Sequence, residues 1–268
     1  MEAPSTPATI ESINDFIPLV RKLCGSEHWG KFWQFRGQTK RRDQWPLVPK
    51  VGRSDYFGLP PGVRFDADSP MSAEGLRTWK EDEHFGYFSP WDMYVFTEWK
   101  KRAIAFGPLP SSEWECLALA QHHGLATRLL DWTWNPLVAL FFAVSENDQE
   151  DGAVYARYSG SLLTGKRFAE VSVVVTYEPR PFDRRIAAQQ GVFTYHPRPT
   201  VALEPYLGFE SAHNSFGTNL VELIVPAKTK TMVIRDLHVF GISKATLFPD
   251  LEGLSWDLNK MHRVQIFT

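Results

Sequence analysis

The sequence predicts an α+β fold: a single domain with a mixed, mainly antiparallel sheet and an inserted helical layer. Short apolar runs of strand length dominate the second half of the chain, and segments with helical caps and periodicity lie before and after them. The chain has 268 residues, of which 43% are hydrophobic and 22% charged, and these values suit one large globular domain. We expect residues 1–10 to form a frayed tail and residues 11–268 to form the domain.

The first part of the chain predicts a helix, a strand and a second helical region. An amphipathic helix capped at Thr9 or Ser12 ends at Cys24. The segment KFWQFRG, residues 31–37, alternates around aromatic residues and then reaches a glycine, which is typical of a strand that enters a turn. A loop rich in Gly, Pro and Asp follows, and a helical region fills 72–107.

The central part of the chain has the clearest helix signals. Ser112 and Glu115 have the spacing of a capping box, and Gly124 is a natural helix end. The run TRLLDW, residues 127–132, predicts a short strand. The Asn-Pro pair at 135–136 then supplies an N-cap and a first helical residue ahead of a strongly apolar helix.

The remainder of the chain predicts four strands and two closing helices. The strands are GAVYARY (152–158), VSVVVTY (171–177), GVFTYH (191–196) and NLVELIVP (219–226), and the helices cover 229–241 and 250–262.

Composition argues against several classes of function. The net charge of −2 creates no overall field that would attract nucleic acid or a membrane. The two cysteines cannot build a disulfide framework, and the histidines and cysteines have no metal-ligand spacing. The N-terminus lacks a signal-peptide pattern, and the longest apolar runs are far shorter than the ~20 residues that cross a bilayer. We therefore expect a soluble cytoplasmic protein with no bound metal and no membrane partner.

The first two candidate sites are the FRG and QHHG segments. Arg36 stands at a strand end beside Gly37, where a guanidinium can bind a phosphate and a ligand can come close. The alternatives are a structural salt bridge and a solvated strand end. In QHHG, residues 121–124, successive side chains point about 100° apart, so His122 and His123 are a poor metal pair. One imidazole can still face a cleft as a proton carrier, or it can cap the helix end.

The other two candidates are the segments TRLLDWT and RRIAAQQG. Asp131 and Thr133 point to one side of a strand and Arg128 to the other, which favours a structural role for Arg128. Asp131 and Thr133 then face one ligand together; the alternative is a buried Asp131 that caps a loop or pairs with Arg128. Gln189 and Gln190 precede a glycine and a strand, where an amide pair can orient a ribose or simply lead into the strand.

Together these stretches resemble the FRG-domain family, which is named for its Phe-Arg-Gly. The segments WQFRGQ, LALAQHHGLATRLLDWTWNPLVALFFAV, RRIAAQQGVFTYHP and GISKATLFPDLEGL look like its successive motifs. They occur in the expected order over residues 31–255, most of the chain. Members of this family occur in bacteria and phages, often without an assigned activity.

A second resemblance is to the ADP-ribosyltransferases of the Arg–Ser–Glu type. Residues 35–37 look like their aromatic-Arg-Gly strand, residues 131–133 sit where Ser-Thr-Ser leads into a helix, and residues 189–191 sit at their Glu-x-Glu turn. The resemblance implies a sheet like the core of that family, NAD as substrate, and Arg36 as the holder of its phosphates. In that family the last glutamate stabilises an oxocarbenium-like transition state, which needs a fixed negative charge.

The sequence departs from this second pattern at the acid. Gly191 falls on the catalytic glutamate position and Gln189 on the upstream one. An active enzyme needs another acid, for which Asp131 and Glu222 are the candidates. Proton transfer would then be carried out by His122 or His123.

Two main hypotheses follow. In the first, the protein is an ADP-ribosyltransferase-like or NAD glycohydrolase-like enzyme, such as a toxin or phage-defence effector, with a protein or nucleic acid as target. In the second, it is a non-catalytic module that binds a nucleotide or modified nucleic acid in the same pocket. A protein-interaction module is a third, supported only by the many aromatic residues. The candidate catalytic residues are Asp131, His122 and Gln189, and the candidate cofactor-binding residues are Arg36, Gly37, Gln121, His123, Thr133 and Gln190.

Overall fold

A computed structural model describes residues 8–24, 33–53, 90–158, 165–203 and 220–263. These residues build a seven-stranded sheet in the order β1-β7-β4-β2-β3-β6-β5. Only the β1–β7 pair is parallel, so the predicted mixed, mainly antiparallel sheet is confirmed. The strands are β1 (Ala8–Thr9), β2 (Trp33–Gln38), β3 (Leu129–Thr133), β4 (Gly152–Tyr158), β5 (Val175–Tyr177), β6 (Gly191–Tyr195) and β7 (Leu220–Val225).

Helices pack around this sheet. The α-helices are α1 (Ile13–Cys24), α2 (Pro90–Ala103), α3 (Glu113–His122), α4 (Pro136–Val144), α5 (Arg184–Gln189), α6 (Lys230–Val239), α7 (Lys244–Leu247) and α8 (Leu251–Arg263). Single 3₁₀ turns cover Lys50–Gly52, Ile104–Phe106, Phe168–Glu170 and Ala227–Thr229. No helix in these ranges is both long enough and apolar enough to cross a membrane.

Helix α4 forms the centre of the main core. The Asn135 side chain accepts a hydrogen bond from the Leu137 amide at 3.0 Å, so the predicted N-cap is confirmed. From there the helix buries apolar side chains against β2 and β4, together with residues of α1 and α6. The approach is close because a Cβ at Gly37 would lie 1.8 Å from the carbonyl oxygen of Ala139, and one at Gly152 would lie 2.2 Å from that of Ala143. Gly37 therefore serves helix packing, which the sequence had not indicated.

Other predicted elements need correction. Residues 8–9 pair with β7 and Ile10 is fully buried, so the predicted frayed tail of residues 1–10 does not extend to its last three positions. The Ser112 side chain makes no capping hydrogen bond; Glu115 pairs instead with Arg180, whose Nη2 donates to Glu115 Oε2 at 2.8 Å. The strand predicted over 171–177 is reduced to β5.

The helical boundaries also differ from the prediction in several places. Helices α5 and α7 were not predicted, because each has fewer than two turns and too few positions to show a period. Helix α3 ends at His122, close to the predicted stop at Gly124. The helical region predicted over 72–107 is helical from residue 90 to 106, and residues 72–89 lie outside the described residues, as does most of the predicted loop that precedes them.

Candidate functional site

A cavity of about 500 Å³ lies over β2, β3 and the start of β6, with α3, α5 and α7 around it. Most of the residues that the sequence singled out line this cavity. They are Arg36, Gly37, Gln121, His122, Asp131, Thr133 and Gln189. The structure thus brings the candidate residues of FRG and the Asp131–Thr133 pair, together with part of QHHG and part of RRIAAQQG, to one concavity, which is how a ligand site is built.

Arg36 contributes a desolvated cation to the cavity. Its Nη1 donates to the Asp131 carbonyl oxygen at 2.7 Å and lies 3.9 Å from the Asp131 carboxylate. The side chain is only 12% exposed, and its buried Nε has no hydrogen-bond partner among the described residues. Burial lowers the pKa of Arg36 to about 10, with Asp131 opposing the shift and Arg53 adding to it. A buried guanidinium with an unused donor favours an anion.

Asp131 presents its carboxylate to the open side of the cavity. The side chain is 66% exposed, and its Oδ1 accepts a hydrogen bond from Gln121 Nε2 at 2.7 Å. The other end of Gln121 accepts from the Thr127 hydroxyl, which in turn accepts from the Leu129 amide at 3.1 Å. Both ends of the Gln121 amide are therefore bonded within the protein, and Gln121 orients Asp131.

Thr133 and Gln189 tie neighbouring elements together. The Thr133 hydroxyl donates to the Gln189 carbonyl oxygen at 2.7 Å and accepts from the Asn135 amide at 3.0 Å. The Gln189 side chain donates to the Leu247 carbonyl oxygen at 3.1 Å, which links α5 to α7. These bonds hold the cavity wall in shape.

The two histidines separate at the end of α3. His122 lines the cavity, and its Nε2 lies 3.4 Å from Asp183 Oδ1, the side chain that caps α5. Burial lowers the pKa of His122, and Asp183 opposes that shift, so a neutral ring is favoured at this wall. His123 instead lines a separate apolar groove beside Tyr94 and Trp99.

Gln190 does not line the cavity. It ends α5 in the left-handed conformation, with φ of 47°, and its carbonyl oxygen accepts from the Trp134 amide at 3.1 Å. Gln190 and His123 are thus the two predicted binding residues that the structure leaves outside the cavity.

Arg128 has the structural role that the strand geometry predicted. Its Nε and Nη2 bind the two carboxylate oxygens of Asp92 at 2.5 and 2.9 Å, and both side chains are buried. The alternative in which Arg128 pairs with Asp131 is wrong, because the two side chains leave β3 on opposite faces. Glu222 lies on β7 and pairs with Arg41 and Arg42, so it does not line the cavity.

Sequence reasoning missed most of the positive charge of the cavity. Lys50, Arg53, Arg185 and Lys244 line it beside Arg36, against the carboxylates of Asp131 and Glu146. Phe248 and Trp45 add aromatic walls. Arg185 and Lys244 stand inside the motifs RRIAAQQG and GISKATLF, but only the sheet order and the position of α7 reveal that they meet β3.

The cavity lies largely within a segment that a known family model recognises. Residues 31–152 match the FRG domain. The FRG match contains Arg36, Gln121, Asp131 and the Asn135 helix start. It ends at Gly152, so the segments RRIAAQQGVFTYHP and GISKATLFPDLEGL lie beyond it. Arg185 and Lys244 therefore reach the cavity from outside the matched FRG segment.

Comparison with curated proteins and with solved structures gave no match. None of the comparisons supports the resemblance to ADP-ribosyltransferases, and the support for family membership is the FRG match alone.

Proposed function

We propose that the cavity binds a phosphorylated nucleotide, with a phosphate against Arg36 and the ribose against Asp131. The observation that carries this proposal is the guanidinium of Arg36, which lines the concavity, is 12% exposed and has a buried Nε without a hydrogen-bond partner among the described residues. A phosphate would add oxygen acceptors and negative charge to those that Asp131 already supplies to this guanidinium.

The charge of the cavity supports an anionic ligand. Five cationic side chains line it against two carboxylates, and they are Arg36, Lys50, Arg53, Arg185 and Lys244. Arg53 lies 5.0 Å from the centre of the Trp45 ring, so cations and aromatic surface occur side by side. Convergent polar groups with aromatic walls are typical of small-molecule sites.

Asp131 supplies the group that would recognise a sugar. A carboxylate accepts hydrogen bonds and donates none when ionised, so it selects a neighbour with hydroxyl donors. Gln121 holds the carboxylate in one orientation. A ribose placed between the Asp131 carboxylate and a phosphate on Arg36 satisfies both groups.

The first test is a binding series with adenosine, 5′-AMP, ADP and NAD, measured by calorimetry. We expect the phosphorylated ligands to bind much more tightly than adenosine, and Arg36→Gln to weaken their binding by about tenfold or more. Arg167→Gln, at a side chain that is 83% exposed, is the matched control and should leave binding unchanged. Equal affinity for adenosine and 5′-AMP, or no effect of Arg36→Gln, overturns the proposal.

A second candidate function is turnover of NAD. It is favoured by the exposed Asp131 carboxylate among cations, since a fixed anion beside the nicotinamide ribose would stabilise an oxocarbenium-like transition state. ADP-ribose would pass to a protein, a nucleic acid or water, and a toxin or phage-defence role would follow from that activity. The neutral His122 would carry a proton at the same wall.

The test of this second candidate is release of nicotinamide from NAD, with a search for a mass shift on macromolecules of a cell extract. Asp131→Asn should abolish product formation and leave the protein folded. Binding of NAD without any product would assign the non-catalytic role.

A further inference from the structure

Arg185 and Lys244 converge on one aromatic ring at the cavity wall. The Arg185 guanidinium lies 4.0 Å and the Lys244 ammonium 3.8 Å from the centre of the Phe248 ring. All three residues line the cavity, and the Gln189–Leu247 hydrogen bond holds their two helices, α5 and α7, together. Two cations thus share one ring on a wall that faces a ligand.

The described part of the chain forms no ion pair with either of these side chains. The acids that act on them at longer range are Asp131, Asp183, Glu146, Asp250 and Glu252. Burial lowers the pKa of both groups, and Arg185 adds to the shift of Lys244. An anion in contact with both cations would offset the repulsion between them and complete their desolvated contacts.

Asp131 lines the same cavity as this pair and Arg36. The sheet order places β3, which carries Asp131, between β2, which carries Arg36, and β6, which α5 leads into directly. Arg36, Asp131, Arg185 and Lys244 all line one cavity of about 500 Å³, which a single nucleotide can span. Asp131 acts electrostatically on both Arg36 and Arg185.

We propose that the ligand is a ribonucleotide with two phosphates on opposite sides of its ribose, a 5′-phosphate at Arg36 and a 2′- or 3′-phosphate between Arg185 and Lys244. This rests on the proposed function of nucleotide binding. Two consecutive phosphates would bring the second one against the Asp131 carboxylate, which repels it. A ribose at that position donates hydroxyl hydrogen bonds to Asp131 and separates the two charges.

The experiment compares affinities for 5′-AMP, ADP, adenosine 2′,5′-bisphosphate and adenosine 3′,5′-bisphosphate. One of the two ribose bisphosphates should bind about tenfold more tightly than 5′-AMP. The affinity of ADP should exceed that of 5′-AMP by a smaller factor. Lys244→Gln and Arg185→Gln should each remove most of this gain, so that the ratio of bisphosphate affinity to 5′-AMP affinity falls toward one. Because both side chains line the cavity, each variant also weakens 5′-AMP binding, and the ratio corrects for that loss. Lys101→Gln, at an exposed lysine on α2, is the control. Which bisphosphate gains identifies the 2′ or the 3′ position.

The outcomes separate the two proposals. The second phosphate position is wrong if both bisphosphates bind no more tightly than 5′-AMP, or if the higher affinity of the bisphosphate survives in both variants. Binding of 5′-AMP that depends on Arg36 would still support the nucleotide site in that case. If no nucleotide binds at all, the proposed function itself fails. Lys244→Met, which keeps the alkyl chain over Phe248, replaces Lys244→Gln if thermal unfolding shows that the latter does not fold.

Discussion

Gln121 Nε2 donates to Asp131 Oδ1 at 2.7 Å, across the turn that joins α3 to β3. The Thr127 hydroxyl donates to the opposite end of the same amide, so the orientation of Gln121 is set from both sides. The QHHG segment therefore contributes to the cavity chiefly through its glutamine, which orients the Asp131 carboxylate at the cavity wall.

Replacing Gln121 should weaken ligand binding with little effect on folding. In Gln121→Met the Asp131 carboxylate loses the hydrogen-bond donor that orients it, and we expect nucleotide affinity to fall about threefold to tenfold. The loss is limited because water partly replaces a hydrogen bond to an exposed charged group. The free energy of unfolding should change by less than about 1 kcal/mol. Calorimetry and urea unfolding measure the two quantities, with Gln44→Met at an exposed glutamine as control. Unchanged affinity would show that the orientation of Asp131 is irrelevant to binding.

Substitution by alanine should destabilise the fold at Gly37 but not at Gly191, although both glycines line the cavity. Gly37→Ala puts a Cβ at 1.8 Å from the Ala139 carbonyl oxygen, so α4 must move. We expect the free energy of unfolding to fall by about 3 kcal/mol or more, or the fold to be lost. Gly191→Ala meets only Ile186 at 3.7 Å and should fold normally, while its methyl group takes space from the ligand. Thermal unfolding and nucleotide affinity compare the two. A well-folded Gly37→Ala variant contradicts the close packing of α4 on β2.

The buried pair of Arg128 and Asp92 should dominate the stability of the layer that carries α2. Asp92→Asn leaves a buried guanidinium without its counter-charge, and we expect the free energy of unfolding to fall by about 3 kcal/mol. Glu98→Gln, which removes the partner of the exposed side chains of Lys101 and Arg102, should lower the free energy of unfolding far less. Chemical denaturation measures both. Similar losses in the two variants would mean that Arg128 does not depend on the Asp92 charge.

His196 should make the protein sensitive to acid. Burial, with Arg157 and Arg36 adding to it, lowers the pKa of His196 from 6.5 to about 3, so the folded protein keeps the ring neutral. Below pH 6.5 the unfolded chain binds a proton that the folded chain does not, and stability falls as pH drops toward 3 by up to about 1.4 kcal/mol per pH unit. The slope of unfolding free energy against pH should be smaller in His196→Gln. Equal slopes in the two proteins would show that His196 titrates alike in both states.

Much of the local structure follows from the sequence because the signals act over a few residues. The Asn135-Pro136 helix start and the strands around FRG, TRLLDW and GAVYARY are where their patterns predict them. The capping box at Ser112 failed because Glu115 found a stronger partner, Arg180, which is 65 positions away. No local rule contains that information.

The candidate site was only partly predictable for the same reason. Arg36 and Gln121 could be nominated, since each is a polar group near the end of an apolar element. Asp131 could be nominated because strand alternation places it on the same side as Thr133. The use of Gln121 as a support for Asp131 required the turn geometry after α3. The cationic pair on Phe248 required α7 to be docked on α5, and Gly37 required the approach of α4 to be known.

The sequence by itself determined the α+β class, the helix start at Asn135, and the opposite faces of Asp131 and Arg128, because periodicity and capping are properties of neighbouring residues. Tertiary structure alone decided which charges meet. Residues 36, 131, 185 and 244 come together only because the sheet places β3 between β2 and β6 and because α7 packs against α5. A ligand site depends on distances across the fold, and those distances are set by packing.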